Sequence, residues 1–257
     1  RRRSPFRKRT LVLILIFGVG SLLFSVALGW VTDEREQVDS IDTDTFSTSA
    51  IGHQALLRLA RSDAALDVEV SRYETHERAA RGAGLILAEP HLMKGGDPEL
   101  DRRARQMLAS SPNTLLVLPK RDGVQDDLEE DWVGAVFFVP EYDVRHVLTQ
   151  AGLGAIVPRR TFTHSDQMTW RAHAPKLAHT PTIPDVQLLP PSPMLRPLLE
   201  TDQGTLLAEV TGPSAAGGRL LVLSDPDVLA NHGLHEGENA ALTLAILRHL
   251  RQDRRGE

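Results

Sequence analysis

The stretch GGRLLVLSDPDVLANHGLHEGENAALTLAIL, residues Gly217 to Leu247, decides how the chain folds. Arg219–Leu223 is a short apolar run with the length of a strand buried on both faces. Such a strand must turn within a few residues of its end. Asp225 supplies a cap there and Pro226 a preset φ. Gly233 is expected to finish the turn in a left-handed conformation. Asn239 or a neighbour then starts a helix whose Ala240, Ala241, Leu244, Ala245 and Leu247 dock on the sheet. Between strand and helix lie Ser224, Asp225, Asp227, His232, His235 and Glu236. The segment therefore reads first as a structural joint and second as a recognition edge. On this reading Asp225→Ala costs about 1 kcal/mol as a lost cap, and His232, a solvated loop residue, barely affects folding.

Working outward, helix and strand signals alternate. STSAIGHQALLRLARS has Ser and Thr at cap positions, with Ile51, Ala55 and Leu59 on one face. ALDVEVSR, GLILAEP and NTLLVLPK predict strands near 66–71, 84–88 and 114–119, joined at the centre of the sheet by 219–224. GGDPELDRRARQMLASS places Asp97 as a cap and Pro98 at the first helical position, with Leu100, Ala104, Met107 and Leu108 facing the core. AVFFVP, VRHVLTQAG and GAIVPRR extend the sheet or form a side lobe, and the proline-rich 175–197 is loop or edge. PLLETDQGTLLAEV predicts a hairpin over 198–210, turning near Asp202 and Gly204 and antiparallel to the last central strand. Buried strands separated by amphipathic helices imply an open, mostly parallel sheet with helices on both faces.

Composition places this domain. The segment Leu11 to Val31 holds no charge, and as a helix it would span roughly 31 Å, one hydrocarbon thickness. A cleaved signal has an apolar core of only about 7–15 residues, so an uncleaved anchor is expected. The expected division is a basic cytoplasmic N-terminus (1–10), a transmembrane helix (11–31), an acidic linker (32–45) and an extracytoplasmic domain (46–257). Arg1, Arg2, Arg3, Arg7, Lys8 and Arg9 precede the span, and positive-inside bias puts them in the cytoplasm. On this reading the chain is a single-pass membrane protein with its main domain outside the cytoplasm. The whole chain carries net charge −5, and those six bases lie outside the outer domain, which is more acidic still. Nucleic acid is a poor partner for such a surface. The chain has no cysteine, which excludes disulfides, thiolate metal sites and a cysteine nucleophile.

In open parallel sheets, sites form beyond the carboxyl ends of the strands. That rule nominates Arg72, Glu89, His91, Lys120, Arg121, Ser224, Asp225 and Asp227, with His232 and His235 close behind. Asp225, Asp227, His232, His235 and Glu236 are legitimate metal ligands, yet their spacing matches no compact motif such as H-E-x-x-H. Ser224 sits in VLSDP, without the glycines a nucleophile elbow needs. Glu89 and Asp225 could act as an acid–base pair, but sequence does not fix their separation. No catalytic residue, metal or cofactor is assigned.

Taken together, TFSTSAIGHQALLRL, LILAEP, TLLVLPKR and GGRLLVLSDPDVLANHGLHEGENAA resemble the bacterial family known as domain of unknown function 4350. The resemblance spans about Thr45 to Leu250. It is most specific over Ser224–Asn239, followed by Ser49, Gly52 and His53. It implies a membrane-anchored protein whose outer domain has a flavodoxin or class I glutamine amidotransferase-like α/β fold. It further implies continuation toward a second membrane helix, hence a truncated chain, and a genomic setting with a MoxR-type ATPase and a von Willebrand-like protein. Glutaminase chemistry itself needs a cysteine thiolate, which this chain lacks. The expected function is a non-catalytic binding, sensing or scaffold component of an envelope complex, partnered by membrane or envelope proteins. Its candidate ligand- or partner-binding residues are Ser49, His53, Glu89, Lys120, Ser224, Asp225, Asp227, His232 and Asn239. The rival is a metal-assisted or acid–base hydrolase built on Glu89, Asp225, Asp227 and His232. A reporter fused after residue 40 tests the topology. Alkaline phosphatase should be active there, whereas cytoplasmic fluorescence would show the reverse orientation.

Overall fold

A computed structural model of the chain describes residues 17–22, 43–71, 75–81, 84–90, 98–126, 132–211 and 218–251. The chain divides into two units, Arg1–Val38 and Asp39–Glu257. In the first, residues 17–22 are helical. The rest of the expected span from Leu11 to Val31 lies outside the described residues, among which no helix is long and apolar enough to cross a membrane.

The second unit mixes helices and strands. Its helices are α1 (Gln54–Ser62), α2 (Thr75–Arg81), α3 (Pro98–Ser110), α4 (Glu141–Gln150) and α5 (Asn239–Arg251). Its strands are β1 (Leu85–Ala88), β2 (Asn113–Val117), β3 (Arg121–Gln125), β4 (Val133–Phe138), β5 (Arg159–Arg160), β6 (Arg171–Ala172), β7 (Gln187–Leu188), β8 (Leu195–Thr201), β9 (Gly204–Val210) and β10 (Arg219–Leu223). The main sheet has the order β1-β2-β10-β9-β8-β6. β10 pairs parallel to β2, with Leu221 opposite Leu115 and Leu223 opposite Val117, and β2 pairs parallel to β1.

The alternation of side chains along β2 and β10 explains why Leu115–Val117 and Leu220–Leu223 are wholly apolar. Leu115, Val117, Leu221 and Leu223 join one core with Leu56 and Ala60 of α1 and Leu242, Ile246 and Leu250 of α5. Leu116 and Val222 join the other, with Val144, Val147 and Leu148 of α4. Helices therefore cover both faces, as expected.

The expected mostly parallel sheet is corrected. β9 runs antiparallel to both β10 and β8, and β8 runs antiparallel to β6. Connection length is the reason. β8 and β9 are joined only by Asp202 and Gln203, at the predicted turn, and β9 reaches β10 through residues 211–218. A parallel crossover needs a dozen residues or more. Residues 66–71 are not a central strand either. Leu66, Val68 and Val70 are half-buried while Asp67 and Glu69 are exposed, so the segment rests one side on the core without entering the ladder. β3 and β4 form a separate antiparallel ribbon, and β5 pairs with β7. These are the side-lobe alternative for AVFFVP and GAIVPRR.

Helix faces shift as well. α1 begins at Gln54, after the Ser and Thr read as caps, and buries Leu56, Leu57 and Ala60 in place of Ala55 and Leu59. In α3, which starts at Pro98 as predicted, Ala104 is buried while Met107 and Leu108 are half-buried. Asp97 and the Leu100 side chain fall outside the described residues. α5 starts at Asn239 and docks through Leu242, Ala245, Ile246, Leu247 and Leu250, leaving Ala241 exposed. Gly233 has a different reason from the one expected. The left-handed residue is Gly237, at φ 47°, whereas a Cβ on Gly233 would sit 1.8 Å from the Asp227 carbonyl oxygen. Gly233→Ala should therefore destabilise the domain by roughly 1–3 kcal/mol through overpacking, read as a lower urea midpoint at unchanged slope.

Candidate functional site

Because β1, β2 and β10 run parallel, their carboxyl ends meet at one edge. Glu89 follows β1, Lys120 lies three residues past β2, and Ser224–Asp227 follow β10. Lys120 is fully buried there. Its Nζ donates to Asp225 Oδ2 at 2.8 Å, to Asp225 Oδ1 at 3.1 Å, to Asp227 Oδ2 at 2.6 Å and to the Pro184 carbonyl at 3.2 Å. Arg121 adds Nε to Asp227 Oδ1 at 3.2 Å and Nη2 to Oδ2 at 3.1 Å. Asp225 accepts the Asp227 N–H at 3.0 Å, which is the predicted cap, and also the Gln187 N–H at 2.7 Å.

His232 closes the network and is no solvated loop residue. Nδ1 lies 2.8 Å from the Ala50 carbonyl and Nε2 3.3 Å from Asp227 Oδ1. Both nitrogens face acceptors, an arrangement that favours the imidazolium form, in which both carry hydrogen. Burial works against that charge, yet the Asp227 contact outweighs it and raises His232 above its ordinary value. Burial likewise opposes charge on Asp227, but the His232 hydrogen bond, Lys120 and Arg121 prevail and hold this carboxyl below the usual range. Asp225 is different. Burial pushes it up to about 6, against the pull of Lys120 and with the Asp227 charge adding to the rise.

Beside this network lies a second pair. His53 Nε2 and Glu89 Oε1 are 2.9 Å apart, and Glu89 Oε2 accepts the Lys120 N–H at 3.3 Å. Burial raises the Glu89 carboxyl above its ordinary value. Its φ of 40° is uncommon for a non-glycine residue. His53 Nδ1 is buried with no hydrogen-bond partner among the described residues.

The other expected residues do structural work. The Ser224 hydroxyl is buried and donates to the Gln187 carbonyl at 2.7 Å, with the Leu206 and Thr205 carbonyls at 3.1 and 3.2 Å. No base faces it. Ser49 pairs with Ser47, the two Oγ atoms 2.8 Å apart. Asn239 joins Thr182 to Gly233 through both ends of its amide. His235 and Glu236 are exposed and pair with one another. Arg72 and His91 lie outside the described residues. Three residues escaped sequence reasoning. Gln187 donates its amide to Ser224 O and Pro119 O, Arg160 reaches Gln187 Oε1, and Asn231 holds the carbonyls of Ser47 and Ser49. Only the strand-like VQLL and the asparagine within the joint hinted at two of them.

Chemically the arrangement is self-satisfying. Lys120 Nζ occupies the point where three carboxylate oxygens converge, the place a bound cation would take. Among the described residues no group of three His, Asp or Glu side chains is poised to hold a metal ion.

A family model described as "Domain of unknown function (DUF4350)" matches residues 45–247. No curated protein matches the chain. Among solved structures, the mmIFT52 N-terminal domain is similar at a TM-score of 0.52 and 15% identity, over 79% of this chain and 92% of that one. Cytoplasmic Protein STM1381 from Salmonella typhimurium LT2 is similar at 0.50 and 14% identity, over 78% and 88%. Both likenesses concern the fold alone.

Two substitutions weigh the network. Asp225→Ala removes a partner of a buried ammonium as well as a cap, so it should cost about 3–5 kcal/mol rather than the loss of a cap alone. For His232 the unfolded ring titrates near 6.5 and the folded one above it. Its stabilisation is thus complete below 6.5 and disappears as pH rises through the folded value. The deficit of His232→Ala in urea unfolding should accordingly be larger near pH 6 than near pH 9.

Proposed function

This chain belongs to the family described as Domain of unknown function (DUF4350), and from that premise we propose that it is a non-catalytic binding, sensing or scaffold domain of a bacterial envelope complex. In this reading the domain has a flavodoxin or class I amidotransferase-like scaffold, is tethered by Leu11–Val31 with its bulk outside the cytoplasm, and works beside a MoxR-type ATPase. The observation that carries it is the saturation of the strand-end edge. Asp225 and Asp227 are spent on Lys120, Arg121 and His232, and Ser224 is spent on backbone carbonyls. Hydrolysis needs a nucleophile or an activated water beside a free base. Here Asp225 and Asp227 already hold cations, Glu89 is engaged by His53 and the Lys120 main-chain N–H, and the chain has no cysteine to supply a thiolate. The same saturation fixes the ends of β2 and β10 relative to each other.

Co-purification from membranes should retain a defined envelope partner. Elemental analysis of the full chain should find no stoichiometric metal, and Asp225→Ala and His232→Ala should alter stability alone. A metal bound one-to-one and lost in both variants would overturn this reading in favour of a metal-assisted hydrolase.

A further inference from the structure

The turn Ser47–Gly52 is fastened to the domain through its main-chain carbonyls. The Asn231 side-chain amide donates to the Ser47 carbonyl at 2.9 Å and to the Ser49 carbonyl at 2.7 Å. The Asn231 main-chain N–H donates to the Gly52 carbonyl at 2.8 Å, and that of His232 to the Ala50 carbonyl at 2.9 Å. The His232 ring reaches the same Ala50 oxygen through Nδ1 at 2.8 Å. Among these donors, only the ring can gain or lose a proton near neutral pH. On its other side the turn packs inward. Ile51 is buried, and a Cβ on Gly123 of β3 would sit 2.9 Å from its Cδ1. His53, which follows the turn, is buried against Glu89.

The His232 ring has unequal acceptors at its two nitrogens. Asp227 Oδ1 lies 3.3 Å from Nε2, and Asp227 is itself held by Lys120 and Arg121. His235 and Glu236, further along the same connection, pair with each other at the surface. Ser47–Gly52 contains no charged residue. At its two ends stand Asp44, which accepts the Phe46 and Ser47 N–H groups, and His53, which faces Glu89. A neutral ring has one hydrogen and must give up one contact. A carboxylate holds that hydrogen more strongly than a carbonyl does, so it stays on Nε2 toward Asp227. Nδ1 then presents a lone pair to the Ala50 oxygen, and attraction becomes repulsion. The His232 N–H shares that oxygen, so the same shift weakens its bond.

We propose that Ser47–Gly52 is a pH-operated strap: loss of the His232 proton shifts it toward an unfastened state while the sheet stays folded, baring Gly123 and the His53–Glu89 pair. Its use rests on the sensing reading given above and deepens it by naming the proton as the signal. Burial opposes charge on the ring, but the Asp227 contact prevails and raises it above the ordinary 6.5. The fastened state is thus favoured most below 6.5 and loses ground as pH rises through the folded value.

Hydrogen exchange on the full chain near pH 6 and near pH 9, each rate divided by the intrinsic rate at that pH, follows the strap. The reporters are the N–H groups of His232, Asn231 and Gln54, whose acceptors are the Ala50, Gly52 and Ser47 carbonyls. Their protection should fall about tenfold between the two conditions, the worth of one pKa unit. Near pH 9 their exchange should ignore low urea, the mark of a local opening, while that of β2 and β10 follows urea as global unfolding does. His232→Gln keeps a side-chain donor but has no proton to lose, so its strap should lack the pH dependence. Nitrogen chemical shifts of the unsubstituted chain should place the His232 hydrogen on Nε2 near pH 9. Protection that ignores pH, or strap exchange that follows urea as β2 and β10 do, would overturn the proposal. So would the same pH dependence in His232→Gln, or a hydrogen on Nδ1. None of these readouts involves a partner, so co-purification that retains no envelope protein would count against the proposed function and not against the strap.

Discussion

The buried ammonium of Lys120 is the constraint around which the second unit is arranged. A lone cation with no exposure to water would cost several kcal/mol even after relaxation. Asp225 and Asp227 must therefore stand where they do, and the chain must bring the end of β10 to the end of β2. Parallel pairing with Leu223 beside Val117 does this. The Pro184 carbonyl completes the shell and draws in the proline-rich loop. Two carboxylates around one ammonium would repel each other without further help. Arg121 and His232 supply it at Asp227, and backbone N–H groups supply it at Asp225.

Much of this arrangement was legible in the residues. The runs that became β1, β2 and β10 hold the apolar stretches Leu85–Ala88, Leu115–Val117 and Leu220–Leu223, because helices cover both faces of the sheet, and their lengths marked them as strands. The hairpin announced itself through Asp202 and Gly204. The rule that polar groups gather past parallel strand ends found Glu89, Lys120, Asp225 and Asp227 together. What stayed hidden has physical causes. Residues 66–71 alternate like a strand because one side rests on the core, and that pattern is blind to hydrogen bonding. The antiparallel hairpin beside β10 was expected, but with β6 added beyond it the antiparallel pairs outnumber the parallel ones, which composition did not announce. Gln187 and Asn231 act on main-chain carbonyls far away in sequence, and a carbonyl leaves no trace in the residue type. His232 looked solvated because the loop it touches, at Ala50, lies at the other end of the domain.

The two halves of the sheet divide the work. The parallel half, β1, β2 and β10, sets the polar edge, whereas the antiparallel half, β9, β8 and β6, widens the core without adding to that edge. Gln187 ties the parallel half to the separate β5–β7 pair, since its side chain reaches Ser224 and Pro119 while β7 pairs with β5. Ser224, just past β10, joins the two halves of the main sheet through the carbonyls of Thr205 and Leu206, both in β9.

Asn231 carries a consequence for how the domain is made. Its amide holds Ser47, 184 residues away, and its oxygen accepts the Ala55 N–H, 176 residues away. Contacts of such long sequence separation are costly to close early, because loop entropy is spent before they reward it. The segment around Ser47–His53 is thus a clasp between the two ends of the domain, closed across a longer stretch of chain than the pairing of β2 with β10. On a ribosome, His53 would emerge long before Asn231, and the loop bearing it would wait for nearly the whole domain to be synthesised before reaching its place.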